Sequence, residues 1–203
     1  MIDSTKVLTI DEVRRVLADL KGRSCAWASR AEIVFRLAVC CGLRVTEISE
    51  LLIGDVYVNA ATSHIKVRSK LKKGAVRNVP LHYDRATYEA LVGWILGRQV
   101  AGAKLSDPLL VTARSKPIHR CGLRRMFRAA CDGLGAERLR SLTIHHGRHT
   151  CASWLLHVGA PPQAVQAMLG HASLATTTIY AHLMDQVPTE FKNVWNSQEN
   201  TNG

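Results

Sequence analysis

Apolar residues along this chain recur at helical spacing for most of its length and alternate in one short stretch, which sets the expected architecture. Thr9 with Glu12 forms a capping-box signature that opens a helix over Ile10 to Leu20. A second helix, Ala28 to Cys41, carries Ile33, Leu37, Cys40 and Cys41 at helical spacing. Gly42 then permits a turn, and Arg44 to Leu52 reads as a third helix. Between Asp55 and Leu81 the pattern changes: Tyr57 with Val58, Ile65 with Val67, and Val76 with Val79 give short alternating segments split by polar turns. These predict a small antiparallel sheet of three strands, whose second turn, Lys70 to Gly74, is strongly basic. Helical spacing returns over Asp84 to Val100, Cys121 to Leu134, His146 to Val158, Pro161 to Leu169 and Leu174 to Ala181. Pro161 and Pro162 stand where a helix start tolerates them.

The predicted fold class is mainly α with a small antiparallel three-stranded β-sheet, an α+β arrangement. Neither a repeat nor a long linker divides the chain, so residues 1–186 are expected to form one domain. Residues 187–203 read as a polar tail, in which a short helix around Thr189 to Trp195 is expected to dock on a neighbouring protomer.

Composition narrows the classes of partner. The 203 residues are 47% hydrophobic, enough to bury a core, and carry a formal net charge of +11. Such an excess favours a polyanion, because each neutralised phosphate releases counterions. Aromatic residues are only 5%, which argues against base stacking as the main binding mode. The N-terminus lacks the basic start and apolar run of a signal peptide. The longest apolar stretch, IVFRLAVCCGL, contains Arg36 and is too short to span a bilayer. Six cysteines show no CxxC pair and read as reduced core thiols, so the expected location is cytoplasmic.

Breaking a phosphodiester without a metal needs a cationic clamp on the phosphate, an in-line nucleophile and an acid for the leaving oxygen. Arginine suits the clamp, since its planar fork binds two oxygens and stays charged. Three segments carry such residues. In CGLRVTEI, Arg44 follows a glycine at a helix start, and Glu47 one turn on is placed to hold it. In LTIHHGRHT, His145 and Arg148 lie three apart and share a helix face. A zinc reading of His145 and His149 is disfavoured, because His146 stands where a zincin needs glutamate and Arg148 repels a cation. In LGHASLATTTIY, one helix ends at Leu-Gly, His171 follows, and a second helix ends at Tyr180. Tyr57, Tyr83 and Tyr88 fit ordinary packing roles.

Together these segments resemble the catalytic motifs of the tyrosine recombinase, or phage integrase, family. CGLRVTEI is similar to its first-arginine box, HHGRHT to its His-x-x-Arg box, and LGHASLATTTIY to its Leu-Gly-His box with a tyrosine nine residues after the histidine. The resemblance runs from Thr9 to Tyr180 with all boxes in family order. It implies Tyr180 as nucleophile, Arg44 and Arg148 as phosphate clamps, His145 as proton-exchange partner of the tyrosine, and His171 as a phosphate hydrogen-bond donor. Glu47 matches the supporting acidic position. The family's hairpin lysine, the acid for the 5′-oxygen, corresponds to Lys70, with Lys72 next in line. Lys72, Lys73 and Arg77 are otherwise expected to contact DNA backbone.

The implied activity is site-specific recombination of double-stranded DNA through a 3′-phosphotyrosyl intermediate, as a homotetramer on two sites, with no metal, ATP or other cofactor. Alternatives are a catalytically silent DNA-binding regulator of the same fold and a type IB topoisomerase. Family members also carry an N-terminal helical DNA-binding domain. Here the first catalytic-domain helix begins about ten residues from Met1, leaving either a recombinant catalytic fragment or a single-domain member. Thr176, Thr177 and Thr178 are poor helix formers, so the segment bearing Tyr180 is expected to be marginally stable, with weak amide protection in the absence of DNA.

Overall fold

The first helix starts where the sequence puts its cap. Thr9 Oγ1 accepts from the Glu12 amide at 3.2 Å and Glu12 returns a bond to the Thr9 amide at 2.8 Å. In this computed structural model, residues 6–58, 63–68, 75–81 and 84–170 are described. The helices are α1 (Ile10–Gly22), α2 (Ala26–Val39), α3 (Val45–Ile48), α4 (Arg85–Val100), α5 (Arg120–Ala130), α6 (Ala136–Ser141), α7 (Ile144–His157) and α8 (Pro162–Leu169). Strands β1 (Val56–Tyr57), β2 (His64–Arg68) and β3 (Val76–Pro80) form one antiparallel sheet in chain order.

Helix α2 is the axis of the core: every residue from Ile33 to Val39 is buried, and α1, α4, α5 and α7 all pack on it. One of those buried residues is Arg36, only 2% exposed. Its Nε donates to Glu32 at 2.8 Å and its Nη1 to Thr87 at 3.2 Å, with Asp84 3.7 Å away. A buried guanidinium persists only when its donors are met, and here that requirement ties α2 to the start of α4. Gly147 gives the closest helix contact. A Cβ there would lie 3.0 Å from the Ala38 carbonyl carbon, so α7 rests directly on the α2 backbone.

Several boundaries differ from the sequence reading. The third helix spans only Val45–Ile48, because Leu52 leaves the helical region (φ −98, ψ 160) and bridges to Pro108. The Leu52 amide is instead capped by Asp55 Oδ2 at 3.0 Å. The fifth helix stops at Ala130, and a 3-10 turn, Asp132–Leu134, completes the predicted span. Helix α6 follows Gly135, whose φ of 93 separates the two elements, and was not anticipated from spacing. Helix α7 begins at Ile144, two residues earlier than expected. The predicted Leu174–Ala181 helix and the polar tail lie outside the described residues.

The sheet register refines the strand pattern. Ile65 pairs with Val79 and Val67 with Arg77, and Ile65, Val67 and Val79 are buried. Because side chains alternate, Arg77 shares the inward face with Val79, while Val76 points out and is 49% exposed. Tyr57 stacks on His64 at 4.5 Å on the outer side, and Tyr88 donates to the Val58 carbonyl at 3.1 Å.

Candidate active site

Three arginines converge on the C-terminal end of α8. The last carbonyls of a helix have no intrahelical partners and carry the negative end of its dipole. Here each of the last three is met by a different guanidinium. Arg77 Nε donates to Met168 O at 2.8 Å, Arg148 Nη2 to Leu169 O, and Arg44 Nη2 to Gly170 O at 3.2 Å. Gly170 closes the helix in the left-handed region (φ 67, ψ 48) that favours glycine. Residues from the third-helix turn, β3 and α7 are thereby gathered at the point where the chain passes on to His171.

Arg44 is the N-cap of α3. Its own amide donates to Glu47 Oε2 at 2.7 Å and its Nη1 to Oε1 at 3.0 Å, so one carboxylate caps the helix and holds the side chain. Arg148 lies one turn into α7 and is 8% exposed. Its Nη1 donates to Gly42 O at 2.8 Å, a carbonyl 106 residues away in sequence. Gly42 (φ 63) is packed so closely that a Cβ would overlap Leu169 and approach Cys151 Sγ at 3.0 Å. The glycine before the first arginine thus sets both the entry to Arg44 and an anchor for Arg148.

Electrostatics favour an anion here. One carboxylate, Glu47, faces the guanidiniums of Arg44, Arg77 and Arg148, which leaves a surplus of positive charge. Burial opposes ionisation of Glu47, but its bonds to Arg77 and Arg44 outweigh that and hold its pKa below the ordinary value. Burial, then the field of Arg44, lowers the Arg148 pKa to about 10, so it remains charged at neutral pH. His145 is solvent-facing on the first turn of α7. Partial desolvation, then Arg124, Arg148 and Arg44, depress its pKa, favouring a neutral imidazole that can take up a proton.

Of the predicted site residues, the fold brings Arg44, Glu47, His145 and Arg148 together. Lys70, Lys72, Lys73, His171 and Tyr180 lie outside the described residues. Arg77, expected on DNA backbone, has its guanidinium on Glu47 and Met168. His146 is a helix cap whose Nδ1 accepts from the Thr143 amide at 2.9 Å. Burial and the neighbouring His146, His145 and Arg148 lower the His149 pKa to about 4. Among the described residues no three His, Cys, Asp or Glu side chains are grouped as metal ligands.

Sequence spacing did not single out two features beside the site. Arg124, on the exposed face of α5 with Arg120 and Arg128, acts on His145, and the four-residue spacing of those arginines was its signal. Asp55, 2% exposed, takes both Nη groups of Arg68 at 2.5 and 2.7 Å. It fixes the last residue of β2, just ahead in sequence of Lys70, Lys72 and Lys73; no pattern in the strand itself revealed it.

A cluster of guanidiniums beside an imidazole of depressed pKa, mounted on this helical frame, is arranged to receive an anion. The chain belongs to the phage integrase family, which it matches over residues 6–187. It is 32% identical over 180 residues to the tyrosine recombinase XerD of Halalkalibacterium halodurans, covering 88% of this chain and 57% of that protein. It is 35% identical over 181 residues to the tyrosine recombinase XerC of Brucella suis biovar 1, covering 86% and 54%. The chain therefore spans somewhat over half the length of these curated relatives. Among solved structures it is similar to the XerA recombinase (TM-score 0.69, 25% identity, 97% of this chain and 64% of that one). It also shares the fold of the XerH site-specific recombinase bound to palindromic difH substrate (TM-score 0.71, 23% identity, 89% and 50%).

Proposed function

We propose that this chain is the catalytic domain of a site-specific DNA recombinase that cuts and rejoins strands through Tyr180. The observation that carries the proposal is the convergence of Arg44 and Arg148 on the end of α8, beside His145 and directly ahead of His171 and Tyr180. A scissile phosphate held by the two arginines meets a surplus of positive charge, which grows more favourable as the transition state gains negative charge. Tyr180 Oη attacks phosphorus, its proton passing to His145, and a 3′-phosphotyrosyl bond forms as the bond to the 5′-oxygen breaks. Lys70 protonates the departing 5′-oxygen, with Lys72 next in line, and His171 donates to a non-bridging oxygen. A 5′-hydroxyl from a partner duplex then attacks the phosphotyrosyl bond and restores the tyrosine. Bond energy is conserved, so neither ATP nor a metal is consumed. Strand exchange between two sites fits a homotetramer, in which residues 187–203 reach a neighbouring protomer, in a cytoplasmic setting.

The test is incubation with nicked suicide duplexes carrying candidate sites, in the presence of EDTA. The expected result is a covalent protein–DNA adduct that is lost in Tyr180→Phe. Binding without an adduct on every site would make the chain a silent DNA-binding regulator. An adduct with relaxation of supercoils but no exchange would make it a topoisomerase.

A further inference from the structure

Arg77 occupies an unusual place for a charged strand residue. It stands on the inward face of β3, two residues before buried Val79 and opposite buried Val67. Its side chain is 15% exposed, against 35% for Arg44. All five donors of a guanidinium point in fixed directions, so its partners report its task. Nη1 and Nη2 each donate at 2.8 Å to a different oxygen of Glu47, and Nε donates to Met168 O at 2.8 Å. The carboxylate of Glu47 is then saturated. Oε1 accepts from Arg77 and from Arg44 Nη1, and Oε2 accepts from Arg77 and from the Arg44 amide.

We propose that Arg77 is a positioning residue for Arg44, acting through Glu47, and that it couples Arg44 to the end of α8. Fork-on-carboxylate geometry fixes the plane of Glu47, and that plane sets the direction in which Arg44 Nη1 is held. The same guanidinium grips Met168 O, two residues before Gly170, whose carbonyl Arg44 also touches. Without Arg77, Glu47 keeps only its two bonds from Arg44, and its carboxylate plane is held less tightly about the terminal torsion. Arg44 keeps its charge but loses its aim, and misplacement of a catalytic group by about 1 Å costs on the order of 100-fold in rate. A lysine cannot replace it, because an ammonium offers no second coplanar donor to span both carboxylate oxygens.

This inference rests on the recombinase reading for its catalytic readout but not for its structural one. Arg77→Met and Arg77→Lys are compared with the parent chain on the suicide duplex, measuring single-turnover cleavage at saturating DNA and DNA affinity across a salt series. The expected result is a roughly 100-fold slower cleavage in Arg77→Met and about 10-fold in Arg77→Lys, with affinity and salt slope unchanged. In a Glu47→Gln background, Arg77→Met is expected to add little further loss, since both act on one contact. A direct backbone-phosphate contact would instead weaken binding, reduce the salt slope by about one, and leave the cleavage rate intact; that outcome overturns the proposal. Additive losses in the double variant overturn it as well. If the parent chain forms no adduct, the recombinase reading fails. Amide exchange then decides for Arg77, because the Arg44 amide is expected to lose about tenfold protection in Arg77→Lys, and unchanged protection refutes the positioning role.

Discussion

Gly42→Ala perturbs the site without touching a charged group. At φ 63 an alanine is held in the left-handed region, at a cost of about 1 kcal/mol. Its Cβ would also overlap the Leu169 side chain, which is fully buried, and sit 3.0 Å from Cys151 Sγ and 3.2 Å from Cys151 Cβ. Overpacking of that kind adds about 1–3 kcal/mol. The sum, about 3 kcal/mol, corresponds to a fall of about 6–12 °C in Tm for a domain of this size. Scanning calorimetry measures it, with Gly97→Ala as the matched control. Gly97 lies exposed inside α4 with nothing within 4 Å of an added Cβ, so that change is expected to stabilise by about 1 kcal/mol. Trimming Leu169 to valine in the Gly42→Ala background should recover about 1 kcal/mol of the interaction, since it removes the overlapping methyl groups. Because Gly42 O anchors Arg148, cleavage of the suicide duplex should also slow in the folded fraction. A Tm within 2 °C of the parent, on the order of 1 kcal/mol or less, would refute the packing argument.

Two further outcomes follow from the same packing and charge. His149 holds its pKa near 4 against an ordinary 6.5, so the unfolded chain takes up the proton first. Its contribution to stability is therefore complete above about pH 7 and declines as pH falls from 6.5 toward 4; after allowance for solvent, urea unfolding should show about 1 kcal/mol less stability at pH 5 than at pH 7.5. His149→Gln should remove that part of the slope, and an unchanged slope would contradict it. Gly147→Ala places a Cβ 3.0 Å from Ala38 Cβ and 3.1 Å from its carbonyl oxygen, which backbone cannot yield. Crowding outweighs the gain in helix propensity, and a net loss of about 1–2 kcal/mol is expected by thermal melts; a stabilised variant would show that α2 and α7 can separate freely.

Local chemistry made most of the frame readable. The Thr9–Glu12 box and the prolines at the start of α8 each act within a few residues, and each stands where its pattern places it. Arg44, Glu47, His145 and Arg148 were legible because the motifs that carry them are short. What escaped depends on partners distant in sequence. Arg77 reads as one more cation of a basic hairpin until Val67 is found opposite it. The signal was present in the strand phase: Val76 and Val79 are three apart and cannot share one face, so an inward Val79 forces Arg77 inward with it. Helix α3 ended early because Leu52 is drawn into a bridge with Pro108, a contact invisible to helical periodicity. Helix α6 was hidden because its six residues, AERLRS, carry a single buried apolar residue, Leu139, too few to display helical spacing.

The arrangement also explains why the site needs so many long-range contacts. Arg44, Arg77 and Arg148 repel one another, and Arg148 and Arg77 are largely removed from water. Three cations so close are tolerable only if each has fixed acceptors, and a second carboxylate would cancel the charge an anionic phosphate needs. Backbone carbonyls solve this, since they satisfy guanidinium donors without adding a full negative charge. The end of α8 supplies three of them and the Gly42 turn a fourth. Glu47 is the single carboxylate in this set of bonds, and it is spent on Arg44 and Arg77 while Arg148 takes only carbonyls. Positive charge is thereby preorganised rather than neutralised. That helix end also leads in sequence into His171 and Tyr180, so under the proposed function the arginines that would clamp the phosphate and the segment that would carry the nucleophile share one anchor.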